Sequence, residues 1–100
     1  MTAVIMFDRD PERNTYINSS WWFGFLERHL DTARGELRDT LDANVSVVGI
    51  HFPTMAPRER RTIAQWMIAS IDADIGSSLL SGKSLEHIAD IRAKVSDLLP

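Results

Sequence analysis

The chain of 100 residues contains no cysteine. That excludes disulfides, thiolate nucleophiles and cysteine zinc sites together, and it leaves stability to packing alone. A basic excess is also missing: eleven Lys and Arg stand against fourteen Asp and Glu, a net charge of −3. A nucleic-acid binder needs a basic footprint, so this balance disfavours nucleic acid and favours a basic protein partner. Apolar runs are short, Ala3 to Phe7 being among the longest, whereas a membrane span needs about 20 residues. The first residues also lack the basic and long apolar regions of a secretory leader, so a cytoplasmic protein is expected. No repeat, linker or low-complexity tract interrupts the chain. Its length suits one core and is too short for two, so a single domain over residues 1–100 is expected.

What is present reads as alternating strand and helix patterns. Ala3-Val4-Ile5-Met6-Phe7, closed by Asp8 and Asp10-Pro11, suits a buried strand ended by turn residues. Residues 11–15 read as polar loop. Asn18, Ser19 or Ser20 can cap a helix running to about Asp42, whose main stripe is Phe23, Leu26, Leu30, Ala33, Leu37 and Leu41. Gly35 lies inside that pattern at a cost of about 1 kcal/mol against Ala, so a break into two helices is the alternative. The β-branched segment 45–52, stopped by Pro53, reads as a second strand able to pair with the first. A further helix is expected from Thr54–Pro57 to about Ile75, with Pro at its first turn. A last one, capped by Ser84 after the turn residues 76–78 and 81–83, carries Leu85, Ile88, Ile91, Val95, Leu98 and Leu99 inward. The expected fold is α+β, three or four amphipathic helices with a two-stranded sheet; an all-helical bundle is the alternative.

Catalytic and ligand-binding signatures do not close. Gly76 and Gly82-Lys83-Ser84 place five residues between glycines where a phosphate-binding loop needs four, and they follow a helix instead of a strand. Val4-Ile5-Met6-Phe7-Asp8-Arg9-Asp10 resembles the strand-then-DxD opening of haloacid-dehalogenase-type phosphotransferases over seven residues. The resemblance implies a phosphotransfer enzyme with Asp8 as nucleophile and Asp10 as acid/base. Pro11-Glu12 stands where that family has Gly-Thr or a similar pair, and an Asp-Pro turn accounts for the same residues. His29, His51 and His87 show no metal-ligand spacing, so neither a metal nor a cofactor is expected. The basic cluster Arg58-Glu59-Arg60-Arg61 falls in the first turns of a helix, where the macrodipole disfavours cations, and reads as a solvated run. Ser84 to Ala89 resembles the first helix of a helix-turn-helix, but no recognition helix follows it through Pro100.

Two surfaces remain. Taking Trp22 as zero, the first helix's stripe centres near about 50°, while Phe25 falls near about −60° and Trp21 near about −100°. Trp66 similarly sits about 140° from the stripe of the third helix. Trp21, Phe25 and Trp66 are therefore either core, buried from two sides, or anchors at a protein interface, where large aromatics carry much of the affinity. On the last helix, Glu86, Asp90 and Asp97 fall within about 40° of one another, opposite the apolar stripe. This stripe reads as a solvated helix face or as the contact for a basic surface.

These features point to a non-enzymatic protein-binding module whose partner-binding residues are Trp21, Phe25, Trp66, Glu86, Asp90 and Asp97. Its expected form is a small acidic stoichiometric inhibitor. Bacterial immunity proteins that neutralise nuclease toxins share this short, acidic, motif-poor profile, a likeness of class with no residue motif behind it. A self-associating subunit is the alternative, as a homo-oligomer with its off-stripe aromatics buried between copies.

Overall fold

A computed structural model describes residues 2–77 and 82–99. The chain forms two compact units, Met1–Glu59 and Arg60–Pro100, taken here one at a time. Among the described residues, four helices and a small mixed sheet make the fold α+β, which agrees with the expected class and replaces the helical-bundle alternative.

In the first unit, β1 (Thr2–Met6), β2 (Thr15–Asn18), β3 (Val45–Ser46) and β4 (Gly49–His51) form one sheet in the order β2-β1-β4-β3. β1 runs antiparallel to β2 and parallel to β4, and β3 and β4 form an antiparallel hairpin. The sheet therefore has four strands, not two. Residues 15–18, expected as loop and helix cap, alternate buried and exposed as Thr15, Tyr16, Ile17 and Asn18, the period of a half-buried strand. The segment 45–52 is not one strand, because Val47 and Val48 turn it back on itself.

α1 (Ser19–His29) opens where Asn18 Oδ1 accepts the amides of Ser20 and Trp21 at 2.9 and 3.3 Å, which satisfies two of its free N–H groups. It packs on β1 and β2. α2 (Gly35–Asn44) follows after a real break, with Gly35 at φ +68°, a conformation that suits glycine. The end of α1 is closed by arginines. Arg38 Nη1 donates to the Leu30 and Asp31 carbonyls while its Nε grips Asp42, and Arg34 Nη1 donates to Asp31 and Ala33. The forked guanidinium can serve several carbonyls at once, which an ammonium does less well.

The break also shifts the phase of the buried face. Trp22, Phe25 and Leu26 are buried, while Phe23, placed inward by a stripe extrapolated through Leu41, is 45% exposed. Without that extrapolation, the three buried residues share an arc of about 100° on α1.

In the second unit, α3 (Pro57–Gly76), which begins in the first, continues from Arg60, and α4 (Gly82–Ser96) follows. α3 starts with Pro57, and Glu59 Oε1 reaches back to the Ala56 amide at 3.1 Å, half of a capping box. Its other oxygen accepts from Asn44 Nδ2 at 3.1 Å. These two bonds hold the Glu59 carboxyl below the usual range, the Asn44 bond being the larger cause. α4 buries Ile88, Ile91 and Val95 as the periodicity predicts. It begins at Gly82 and not at the expected cap Ser84; the turn positions 78 and 81 lie outside the described residues. Asp72 of α3 and Arg92 of α4 form a two-pronged ion pair at 2.6 and 3.0 Å.

The tightest approach in the first unit is at Gly49, held at φ +129°. A Cβ there would fall on the Val4 carbonyl, 2.7 Å from its carbon. Gly49→Ala should therefore destabilise the protein by about 2–4 kcal/mol, through backbone strain and displaced β1–β4 pairing. Urea denaturation would show it; a loss below about 0.5 kcal/mol, typical of an unremarkable surface site, would mean that the contact relaxes freely.

Candidate partner-binding face

Alternation along four paired strands divides the sheet into two unlike faces. Ala3 and Ile5 of β1, Ile17 of β2, Val45 of β3 and Ile50 of β4 are buried on one side. The opposite positions point outward. Register places Tyr16, Val4, Gly49 and Ser46 in one row across the strands and Met6 beside His51 in the next. None of the outward strand positions is Asp, Glu, Lys or Arg. Antiparallel sheets with one wet face ordinarily make that face polar. Here it is mixed: Tyr16 is 58% exposed and Val4 and Met6 are half-buried, among exposed Thr2, Asn18, Ser46 and His51.

The row slopes from a projection to a hollow. Gly49 has no side chain, and around it lies a groove of about 220 Å³ lined by Val4, Met6, Val48, Ser46, Asn44 and His51, among others. Val48, 64% exposed, stands at its lip, and its neighbour Val47 is 58% exposed. The hairpin tip is tied down at three points. Val48 N–H donates to Ser46 Oγ at 3.3 Å, Val4 N–H donates to the Val48 carbonyl at 3.0 Å, and Trp22 Nε1 donates to the Ser46 carbonyl at 2.8 Å. The polar rim is also organised: His51 Nδ1 and Thr54 Oγ1 are hydrogen-bonded at 3.0 Å, and Asn44 Nδ2 is engaged by Thr40 and Glu59. A surface held this firmly loses little side-chain and loop freedom on docking, which favours binding.

The residues expected to bind a partner fall elsewhere, and two of them require correction. Phe25 is fully buried, stacked on Trp22 at 5.5 Å and tilted against Trp21 at 4.9 Å. Trp66 is 7% exposed. Neither is an exposed anchor: Phe25 belongs to the buried arc of α1 once the helix break is recognised. Trp66 lies at the edge of a broad buried arc on α3 that also takes in Ile63, Met67, Ser70, Ile71 and Asp74. Trp21 is half-buried, and its Nε1 is out of water without a hydrogen-bond partner. Glu86, Asp90 and Asp97 are exposed, Asp90 paired with Lys94 at 3.1 Å; Asp97, expected on the last helix, lies in the turn after Ser96.

Asp8 and Asp10 are engaged as turn residues. Asp8 Oδ1 accepts the Asp10 amide at 2.8 Å and Oδ2 meets Arg13 at 2.9 Å, while Asp10 Oδ1 accepts the Glu12 amide at 3.0 Å and opens the 3-10 turn Pro11–Arg13. His29 lies against the Phe25 ring at 4.9 Å, and His87 is exposed on α4. Among the described residues no three His, Cys, Asp or Glu side chains gather as a metal site, and no helix is long and apolar enough to cross a membrane. Comparison of the chain with protein families, curated proteins and solved structures gives no match.

Electrostatics in the second unit yield a direct test. The Arg92 hydrogen bond holds the Asp72 carboxyl below its ordinary range, with burial opposing and Coulomb attraction adding to the shift. A lowered folded-state pKa means that the pair's contribution is present above the unfolded carboxylate pKa and is lost as pH falls through the folded value. Both side chains are well exposed, so the effect on stability is small. In Arg92→Gln, the Asp72 titration followed by NMR should move up to the ordinary carboxylate range; an unmoved titration would remove Arg92 as the cause.

Proposed function

We propose that this chain is a non-enzymatic protein-binding module and that the outward face of its sheet is the binding surface. The observation that carries this reading is a water-facing sheet surface with no charged strand residue, with Tyr16 exposed on it and Val48 exposed at the lip of its groove. Lone exposed apolar residues are ordinary, whereas apolar residues gathered around a groove favour an interaction site. The engagement of Asp8 and Asp10 in local turn bonds supports binding over phosphotransfer.

A narrower form of the reading is a stoichiometric inhibitor of a basic partner, of the kind that immunity proteins provide against nuclease toxins. It is favoured by the exposed carboxylates of Glu86 and Asp90 on α4 and of Asp97 just past its end and by the net charge of −3. Such a stripe would speed encounter and select a basic surface more than it would add affinity.

Tagged protein, expressed at natural level in its own host, should retain a specific partner that is lost from Val48→Asp, since a buried unpaired charge opposes docking. Reversing Glu86, Asp90 and Asp97 to Lys should weaken capture by at least about tenfold at low salt and flatten its salt dependence, if the partner is basic. Capture indifferent to Val48→Asp would overturn the sheet face as the binding surface. Indifference to the triple reversal would remove the basic-partner form alone.

A further inference from the structure

We propose that Met6 is a reversible oxidation site, where a peroxide converts the thioether to a sulfoxide and so places a strong hydrogen-bond acceptor on the wall of the groove around Gly49. The consequence for docking rests on reading the outward sheet face as a protein-binding surface; the chemistry at sulfur does not.

The chain has no cysteine, so the thiolate that peroxides ordinarily attack first is absent and methionine sulfur comes next. The methionines differ sharply in access. Met55 is 6% exposed and Met67 is fully buried, while Met6 is half-buried beside a water-open groove that it lines with Val4 and Val48; Met1 lies outside the described residues. Strand alternation sets this difference. Ala3 and Ile5 take the inward positions of β1, so Met6, its last residue, points outward beside His51, its partner in the parallel pairing. An oxidant therefore meets Met6 in the folded protein, whereas Met55 and Met67 are reached only when the structure opens.

The sulfur lone pair attacks one peroxide oxygen. An S–O bond forms as the O–O bond breaks, sulfur gives up two electrons to the peroxide, and the displaced hydroxide takes up a proton and leaves as water. A flexible apolar side chain becomes a polar one. Because ladder bonds are made by the backbone and this side chain stands outside the core, the sheet survives the change. Docking does not: a partner covering Val4 and Val48 would strip water from the new oxygen and leave an acceptor to be satisfied. Its place on the outer face, at the end of β1, also leaves the sulfoxide open to a methionine sulfoxide reductase, which makes the change reversible.

Peptide mass mapping of the full chain during graded hydrogen peroxide treatment tests this, with fragment masses separating Met6 from Met1. Met6 should oxidise at least about tenfold faster than Met55 and Met67. Circular dichroism should stay unchanged, and amide shifts should be confined to Met6 and neighbours such as Gly49 and His51 while α4 stays still. Methionine sulfoxide reductase with a thiol reductant should restore the spectrum. The oxidised chain should capture its partner about tenfold or more weakly, and capture by Met6→Leu should be indifferent to peroxide, whatever its starting level. Equal oxidation rates at the three methionines, or unfolding as Met6 oxidises, overturns the proposal, and so does capture that ignores the sulfoxide or falls equally in peroxide-treated Met6→Leu. A reduced chain whose capture ignores Val48→Asp ends the binding reading instead, while the rate at Met6 and its reversal, read without any partner, still decide the oxidation site.

Discussion

The bare backbone of Gly49 against the Val4 carbonyl is the contact on which the first unit's sheet depends. It allows a hairpin of only two and three residues, β3 and β4, to lie close along β1 in a parallel pairing. Strands this short hold few ladder bonds, so their placement must come from side bonds. The Trp22 indole on the Ser46 carbonyl and the Val48 carbonyl on the Val4 amide supply it. Glycine at this position meets a backbone requirement, as it does wherever two chains approach closely.

The exposed apolar surface of Tyr16, Val4 and Met6 forgoes about 25 cal/mol per Å² of burial; a partner covering it would recover that amount less the cost of association. The β3 edge is blunted, since its Ser46 carbonyl is taken by Trp22.

Much of the fold was readable from the residues, and the failures share a cause. β1, α3 and α4 announce themselves by apolar period and by Pro57, because each is long enough for its pattern to repeat. β2 spans four residues and yields only two alternations, too few to stand out from the capping residues beside it. β3 and β4 read as one strand because their turn is Val47-Val48, β-branched residues in place of the Asn-Gly or Asp-Gly that signals a hairpin; the turn is held instead by Ser46 Oγ and Gly49. The candidate face was hidden for the same reason, since Tyr16 and Val48 become neighbours of Val4 only through pairing in the sheet. The acidic residues of α4 were legible as exposed because a single uninterrupted helix fixes their side.

The aromatic residues turn the usual inference around. A segment that crowds Trp21, Trp22, Phe23 and Phe25 onto one short helix suggests rings left over for a partner. A unit of about sixty residues, however, buries a smaller fraction of its surface than a larger one, and its core has few positions to work with. Large rings fill such a core with the fewest residues: Trp22, Phe25 and Phe52 are each completely buried, and Phe7 stacks on Phe52 at 6.0 Å. An aromatic cluster in a chain this short is accordingly a signal of core. The outward strand positions that a water-facing sheet would make polar and that here hold Val4, Met6 or Tyr16 give a subtler departure from pattern. Trp21, half-buried with its indole nitrogen out of water and unbonded, leans on the buried Phe25 ring.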